Sequence, residues 1–385
     1  MINFEFQKDC YGCAACKSIC PTSAIELLPD KYGFLQPSVQ SDKCMECGLC
    51  DIVCIHENTA NDRQHSLQEA FLYSNKNVDM LRKSASGGAF IAIAKNVIEQ
   101  DGYVCGCVFD EKLTAIHVVS NDIKLICEMQ GSKYVQSDLR GAFKDIRKYL
   151  DAGKTVLFSG TPCQCAAIQN YCSRHKNNSF LYTVAIICHG VPSPLVWKEY
   201  KEYLEIKNNS KLVKVNHRAK GSSYNIPIAE YRFNNGKMLR WTTYLEDLYC
   251  YAFSTDLFLR DTCYHCGFKG CNITADMIIG DYFDFRDYNK YKNGVSSVII
   301  NSEKGRSIAQ FLTLDEHISV EAIKNKNKAL ITSVKRHPNR DTFFDQLYSD
   351  PIIKCLKENV VYRRFIFKKL LYKTKILVLI KRIKG

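Results

Sequence analysis

Cysteine is the residue type whose spacing points to chemistry in this chain. CYGCAACKSICP runs from Cys10 to Pro21, and CMECGLCDIVC repeats the spacing from Cys44 to Cys54. Each run reads C-x2-C-x2-C-x3-C. Three thiolates two residues apart can wrap one 4Fe-4S cubane, and the longer last step carries the fourth thiolate to a second cluster. Cys10, Cys13, Cys16 and Cys54 are therefore expected on one cluster, and Cys44, Cys47, Cys50 and Cys20 on the other. Gly12 and Gly48 suit backbone that must curl closely around sulfide. Zinc sites more often show two CxxC pairs, and the count alone would also fit a disulfide framework.

A second set of thiols needs the fold to assemble it. KTVLFSG reads as a short apolar strand, TPCQCAAIQNYCSRH as a helix opening on Pro162, and LYTVAIICHGVP as another apolar strand. Strand, helix and strand over this length form a βαβ unit with parallel strands. Cys163 and Cys188 then fall at the carboxyl ends of neighbouring strands, where α/β sheets build their sites. The CxxC of RDTCYHCGFKG, Cys263 and Cys266, supplies the other half of a ligand set. A third 4Fe-4S site is the first reading of these four and zinc the next, while each cysteine alone would read as a buried thiol. Cys165 and Cys271 lie close enough to be substitutes.

The elements around these cysteines are legible more coarsely. Residues 1–60 form an inlet with the spacing of bacterial two-cluster ferredoxins. Residues 61–79 read as a polar connector with some strand character. The polar loop of Arg82, Ser84, Ser86, Gly87 and Gly88 precedes a helix over AFIAIAKNVIEQ, and N–H groups at a helix start bind phosphate well. As a sequence pattern, such a loop is also an ordinary turn. GYVCGCVFDEKLTAIHVVS alternates as a hairpin, with Cys105 and Cys107 as core thiols.

Composition narrows the class. The chain has 385 residues, 20 cysteines and a net charge of +13. Its first residues, MINFEFQKD, do not read as a secretory signal, and no apolar run reaches the roughly 20 residues that span a bilayer. A cytoplasmic redox protein is the expectation. Arg363 to Gly385 carries nine Lys/Arg and no acid, leaving about +4 elsewhere (13 minus 9). This basic, apolar tail suits the anionic inner face of a membrane, with a solvated helix end as the plain alternative. Aromatic-interleaved basic stripes elsewhere are lacking, so nucleic acid is not an expected partner. No GxGxxG follows a strand, so a nicotinamide-binding Rossmann domain finds no support.

SASGGAF, MQGSKYVQSDL, VLFSGTPCQ, ICHGVPSP, RDTCYHCGFKG and ADMIIGDYF, in this order, resemble the coenzyme F-420 hydrogenase/dehydrogenase beta-subunit family from about Lys83 to Glu303. Cys165 and Tyr282 stand where that family more often has an aliphatic residue and tryptophan. The resemblance implies an α+β ferredoxin-like N-terminal domain joined to a mixed α/β flavin- and cluster-binding domain. It divides the chain into a ferredoxin domain over 1–60, an FAD-binding region over 61–160, a cluster-bearing region over 161–345 and a tail over 346–385. It implies a 4Fe-4S cluster on Cys163, Cys188, Cys263 and Cys266, and FAD against Arg82, Ser86, Gly87, Gly88, Gly131, Ser132, Lys133 and Tyr134.

The function expected is a relay from reduced ferredoxin, or a redox partner subunit, through the clusters to FAD and an organic substrate. That substrate is a deazaflavin coenzyme or a bacterial metabolite, since similar chains also occur in polysaccharide gene neighbourhoods. Lys133 is the candidate for polarising flavin or substrate, followed by His117 and His189. The alternatives are an electron-transfer subunit serving a partner enzyme, or a zinc-stabilised interaction module with a ferredoxin head.

Overall fold

The computed structural model describes residues 9–56, 68–221, 227–270, 273–282 and 291–373. In the N-terminal domain the two cysteine runs fold as one motif used twice. Each curls into a short helix, Ala15–Ile19 or Leu49–Val53, that ends on the fourth cysteine of its run, Cys20 or Cys54. Equivalent positions share left-handed backbone: Gly12 (φ 65°) with Glu46 (φ 53°), and Ala14 (φ 62°) with Gly48 (φ 71°). Two left-handed residues per run coil the chain tightly around its thiols, a conformation that alanine and glutamate adopt only at a cost. Between the runs, strands β1 (Ile25–Pro29) and β2 (Leu35–Val39) pair as an antiparallel hairpin, Ile25 opposite Val39.

The strands that follow are β3 (Glu69–Tyr73), β4 (Tyr103–Phe109), β5 (Ala115–Ser120), β6 (Val156–Gly160) and β7 (Leu181–Ile186). After them come β8 (Leu212–Ala219), β9 (Ile228–Phe233), β10 (Met238–Thr242), β11 (Met277–Asp281), β12 (Ser296–Ile300) and β13 (Glu316–Ile318). Eight of them form one mixed sheet in the order β13-β3-β12-β11-β7-β6-β4-β5. The inner four, β11, β7, β6 and β4, run parallel, and the strands flanking them pair antiparallel.

Parallel strands are covered on both faces, which explains why all five residues of β6 are buried. Val156 and Phe158 pack with helices Ala142–Asp151 and Pro162–Cys172 on one face. Leu157, Val104 and Val184 pack against helix Ala89–Glu99 on the other. The expected βαβ unit is β6, helix Pro162–Cys172 and β7, with Val156 opposite Leu181. The described end of the connector is more ordered than its composition suggests. Its strand β3 lies inside the sheet, Tyr73 opposite Ser296.

Strands β8, β9 and β10 make a separate antiparallel sheet. It shares a second core with helices Pro194–Asn208, Leu248–Phe253, Arg340–Leu347 and Ile352–Asn359, and Phe34 of the N-terminal hairpin is buried in that core.

Candidate functional site

One half of the crossed pairing expected for the N-terminal cysteines has a counterpart in the fold, where Cys54 stands near Cys10, Cys13 and Cys16. Burial pushes the Cys13 thiol up to about 12, and the neighbouring Cys10 and Cys54 add to the shift. Cys16 is raised by burial and then by Cys13, Cys10 and Cys54. The fourth cysteine of the second run thus stands with the first three of the first. Backbone N–H groups already point at these sulfurs, Gly12 N to Cys10 Sγ at 3.3 Å and Ala24 N to Cys20 Sγ at 3.3 Å. Cys47 is the exposed member of the other set.

The third set also assembles. Cys163 opens the helix after β6, Cys188 follows β7, and Cys263 and Cys266 lie in and just after the 3-10 turn Asp261–His265. All four line one small cavity, with Tyr11, Gln136, Arg260 and Lys269 among its other walls. Burial pushes Cys188 to about 11 and Cys263 to about 12, and neighbouring thiols of the set raise Cys163, Cys188 and Cys263 further. Ligation would release those protons. Two N–H groups again address sulfur at 3.4 Å, Val191 N to Cys263 and Phe268 N to Cys266. Among the described residues no group of three or more His, Cys, Asp or Glu closes around a single-ion position. Cys165 is buried in the core outside this cavity, and Cys271 falls outside the described residues.

Sequence reasoning missed the two cations here, because a single Arg or Lys carries no pattern. Lys269 Nζ donates to the carbonyls of Cys188 and Ala329 at 2.5 and 2.7 Å. Arg260 is 2% exposed and donates to Cys10 O, Gln136 Oε1 and Leu35 O at 2.6, 3.0 and 3.0 Å.

Beyond the third set opens a cleft of about 430 Å³ at the carboxyl ends of the parallel strands. Ser86, Gly88, Gly131, Ser132, Lys133 and Tyr134 all line it. Arg82 is exposed and does not, and neither does Gly87. A β-carbon on Gly87 would meet Tyr73 O at 2.1 Å and Ser296 N at 2.3 Å, so that glycine serves the approach of the loop to β3 and β12. Gly88 (φ 80°) starts helix Ala89–Glu99 without any side-chain cap, and Ala89 and Phe90 reach the cleft. An uncapped helix start beside a cleft is a fit for a phosphate.

The other sequence candidates differ in setting. Lys133 Nζ donates to the carbonyls of Glu128, Met129 and Gln130 at 2.8, 3.0 and 2.9 Å, closing the end of helix Ile123–Met129. Burial pushes its pKa down to about 8, against which these carbonyls hold the ammonium. Its charge is therefore spent on backbone, and it positions the Gly131–Tyr134 segment. His117 is 4% exposed, is held below its usual range at about 4 by burial, and bonds Ser159 O at 3.1 Å. Its Nδ1 has no hydrogen-bond partner among the described residues. His189 pairs with Asp256 at 2.5 Å. A polar corner completes the cleft, of which only Tyr134 is a sequence candidate: Arg218 pairs with Asp281 at 3.0 Å, and the hydroxyls of Tyr134 and Tyr244 meet at 3.0 Å.

Cys188, His189, Gly190 and Val191 line both the cysteine cavity and the cleft. On the opposite side Tyr11 links the N-terminal set to the third. It follows Cys10 in the chain, its hydroxyl accepts from Gly267 N at 3.1 Å, and its ring meets Phe268 edge-on at 5.1 Å. The three sites are thus in series, the third set lying between the N-terminal set and the cleft.

Comparison with known proteins agrees with the two N-terminal cysteine runs. Residues 9–58 match the 4Fe-4S dicluster domain, and residues 153–326 match the C terminus of the coenzyme F420 hydrogenase/dehydrogenase beta subunit. No curated protein matches. One chain of a xenon-derivatised F420-reducing NiFe hydrogenase complex from Methanosarcina barkeri is 17% identical, with a TM-score of 0.45, over 75% of this chain and 90% of that one. Residues 9–58 thus carry the 4Fe-4S dicluster domain, residues 153–326 match the C terminus of the coenzyme F420 hydrogenase/dehydrogenase beta subunit, and the chain is an iron–sulfur electron-transfer protein.

Proposed function

We propose that this protein is a flavin-dependent iron–sulfur oxidoreductase. In this reading Cys163, Cys188, Cys263 and Cys266 hold a third 4Fe-4S cluster and the neighbouring cleft holds FAD. The observation that carries it is the wall shared by the cysteine cavity and the cleft, with Cys188 in it. When bound, the clusters carry single electrons and the flavin pairs them for hydride delivery to an organic substrate.

The chain's own residues bind, orient and exclude water. The uncapped start of helix Ala89–Glu99 takes the flavin phosphates. Lys133 fixes the Gly131–Tyr134 segment from behind, and Lys220, which donates to Ser86 O at 2.7 Å, fixes the Ser86 loop. His117 Nδ1 offers a buried acceptor to the ring system. Arg218, Asp281, Tyr134 and Tyr244 remain for the substrate, a deazaflavin coenzyme or a bacterial metabolite.

Electrons arrive from a reduced ferredoxin or a redox partner subunit at the exposed Cys47 side, where Met45 is 62% and Ile52 44% exposed. Anaerobic purification with iron, zinc and flavin analysis, followed by reduction with dithionite, tests this reading. About 12 iron per chain and bound FAD that reduces are expected, as three four-iron clusters require. About 8 iron with one zinc would reject the third cluster. FAD that reduces yet passes nothing to an organic acceptor without a second protein would move the chemistry to a partner subunit.

The tail is proposed to touch an anionic membrane surface. No described helix is long and apolar enough to cross a membrane. Helix Tyr362–Lys373 exposes Ile366, Phe367 and Leu370 beside Arg363 and Arg364. Residues 374–385 of the tail lie outside the described residues. Deleting Arg363 to Gly385, or raising salt, should release the protein from anionic vesicles while its cofactors stay. Salt-insensitive binding would exclude this role.

A further inference from the structure

Arg260 stands between two cysteine sets. Its charge lies within electrostatic reach of Cys13 on one side and Cys263 on the other. The guanidinium is buried, and the groups it touches are neutral: two carbonyls, the Gln136 side-chain oxygen and the face of Phe34 at 5.4 Å. Among the described residues no carboxylate pairs with it. Arg340, also fully buried, shows the usual arrangement, with Asp261 at 3.4 Å and Asp341 at 3.6 Å. A buried cation without a counter-charge is costly, so a negative group nearby is expected at this place. Thiolate-ligated clusters on both sides would supply it.

The placement is also directional. Arg260 lies three residues before Cys263, and its carbonyl accepts from Cys263 N at 2.9 Å, so the segment that presents the ligand also presents the charge. Its fork reaches Cys10 O and Leu35 O, both in the dicluster segment, and Gln136 ties the arrangement to Tyr11 O at 3.1 Å. The set of Cys20, Cys44, Cys47 and Cys50 has no such neighbour among the contacts of Arg260. Lys269, by comparison, borders only the third set.

We propose that Arg260 is a positioning residue for electron transfer. Its charge raises the reduction potentials of the cluster on Cys10, Cys13, Cys16 and Cys54 and of the cluster on Cys163, Cys188, Cys263 and Cys266, and not that of the outer N-terminal cluster. This rests on the third set holding a 4Fe-4S cluster. Reduction adds one electron to a cluster that is already negative, and a fixed cation nearby favours that form. Electrons arriving at the outer cluster therefore run downhill toward the inner pair, each step moving one electron and no proton.

The test is a redox titration of the full loaded chain followed by EPR, comparing wild type with Arg260→Gln, Arg260→Lys and Lys269→Met. In Arg260→Gln both inner midpoints should fall by about 59 mV, a tenfold change in a one-electron equilibrium, with the outer midpoint unmoved. Arg260→Lys should lower both by less, and Lys269→Met should lower only the third. Inner midpoints equal to wild type, or all three midpoints shifting together, would overturn the proposal. If the glutamine variant does not load its clusters, the neutral Arg260→Met variant decides: a fall in both inner midpoints is expected, and unchanged midpoints overturn it. Iron content and the number of EPR signals in wild type report separately on whether the third cluster exists.

Discussion

The hydroxyl of Tyr11 accepts a hydrogen bond from Gly267 N at 3.1 Å, so a residue next to Cys10 touches the residue next to Cys266. Those cysteines are 256 positions apart in the chain, yet one side chain spans the gap between their sites. The nearby Cys266, Cys163 and Cys263 lift the Tyr11 pKa further above what burial already does, so the ring stays neutral in that gap.

Tyr11→Phe should keep the ring contact with Phe268 and lose only the hydrogen bond, about 1 kcal/mol of stability. Tyr11→Ala removes the ring as well. Stopped-flow absorbance should show little change in internal electron passage for phenylalanine and a clear slowing for alanine, with iron content equal in both. Equal rates in all three proteins would place the route elsewhere.

Gly87 is expected to matter for folding more than for flavin. With a β-carbon 2.1 Å from Tyr73 O, Gly87→Val should cost about 3 kcal/mol or more, read as a lowered midpoint of denaturation. Ala85 lines the cleft itself and tests the phosphate site more cleanly. Ala85→Asp, which sets a carboxylate against the phosphates, should lower FAD content at least about tenfold, while Ala85→Ser keeps it. Full FAD in the aspartate variant would show that the phosphates lie elsewhere.

What is legible in the sequence and what is not follow one physical division. Ligand thiols on a local turn must recur at fixed spacing, so the twin quartets are plain, and two strand ends bring Cys163 and Cys188 together by the βαβ rule. Gly48 can be read as a curl, and its φ of 71° agrees, but nothing marks Glu46 or Ala14 as its left-handed equivalents. The pairing of Tyr73 with Ser296 joins segments too far apart for any local pattern to reveal. Arg260, Lys269 and Arg218 gain their meaning only from what surrounds them, and a lone basic residue in sequence looks the same on any surface. Lys133 is visible through the family resemblance, but its three close carbonyl partners are not.

If electrons arrive at the Cys47 side as proposed, Met45, 62% exposed, is a test of partner docking. Met45→Glu should slow reduction by ferredoxin about tenfold, a loss of roughly 1.4 kcal/mol in docking, and leave reduction by dithionite unchanged. If ferredoxin reduces the variant at the wild-type rate, electrons arrive at another face.

The central claim is that electrons reach the cleft only through the third cysteine set. Its most direct measurement is flavin absorbance after reduction of a Cys263→Ser, Cys266→Ser double variant whose iron content has been determined. The account predicts a loss of about four iron per chain, retention of the two N-terminal clusters, and flavin that stays oxidised while those clusters reduce. Flavin reduced at the wild-type rate in that variant, with those four iron gone, would contradict it.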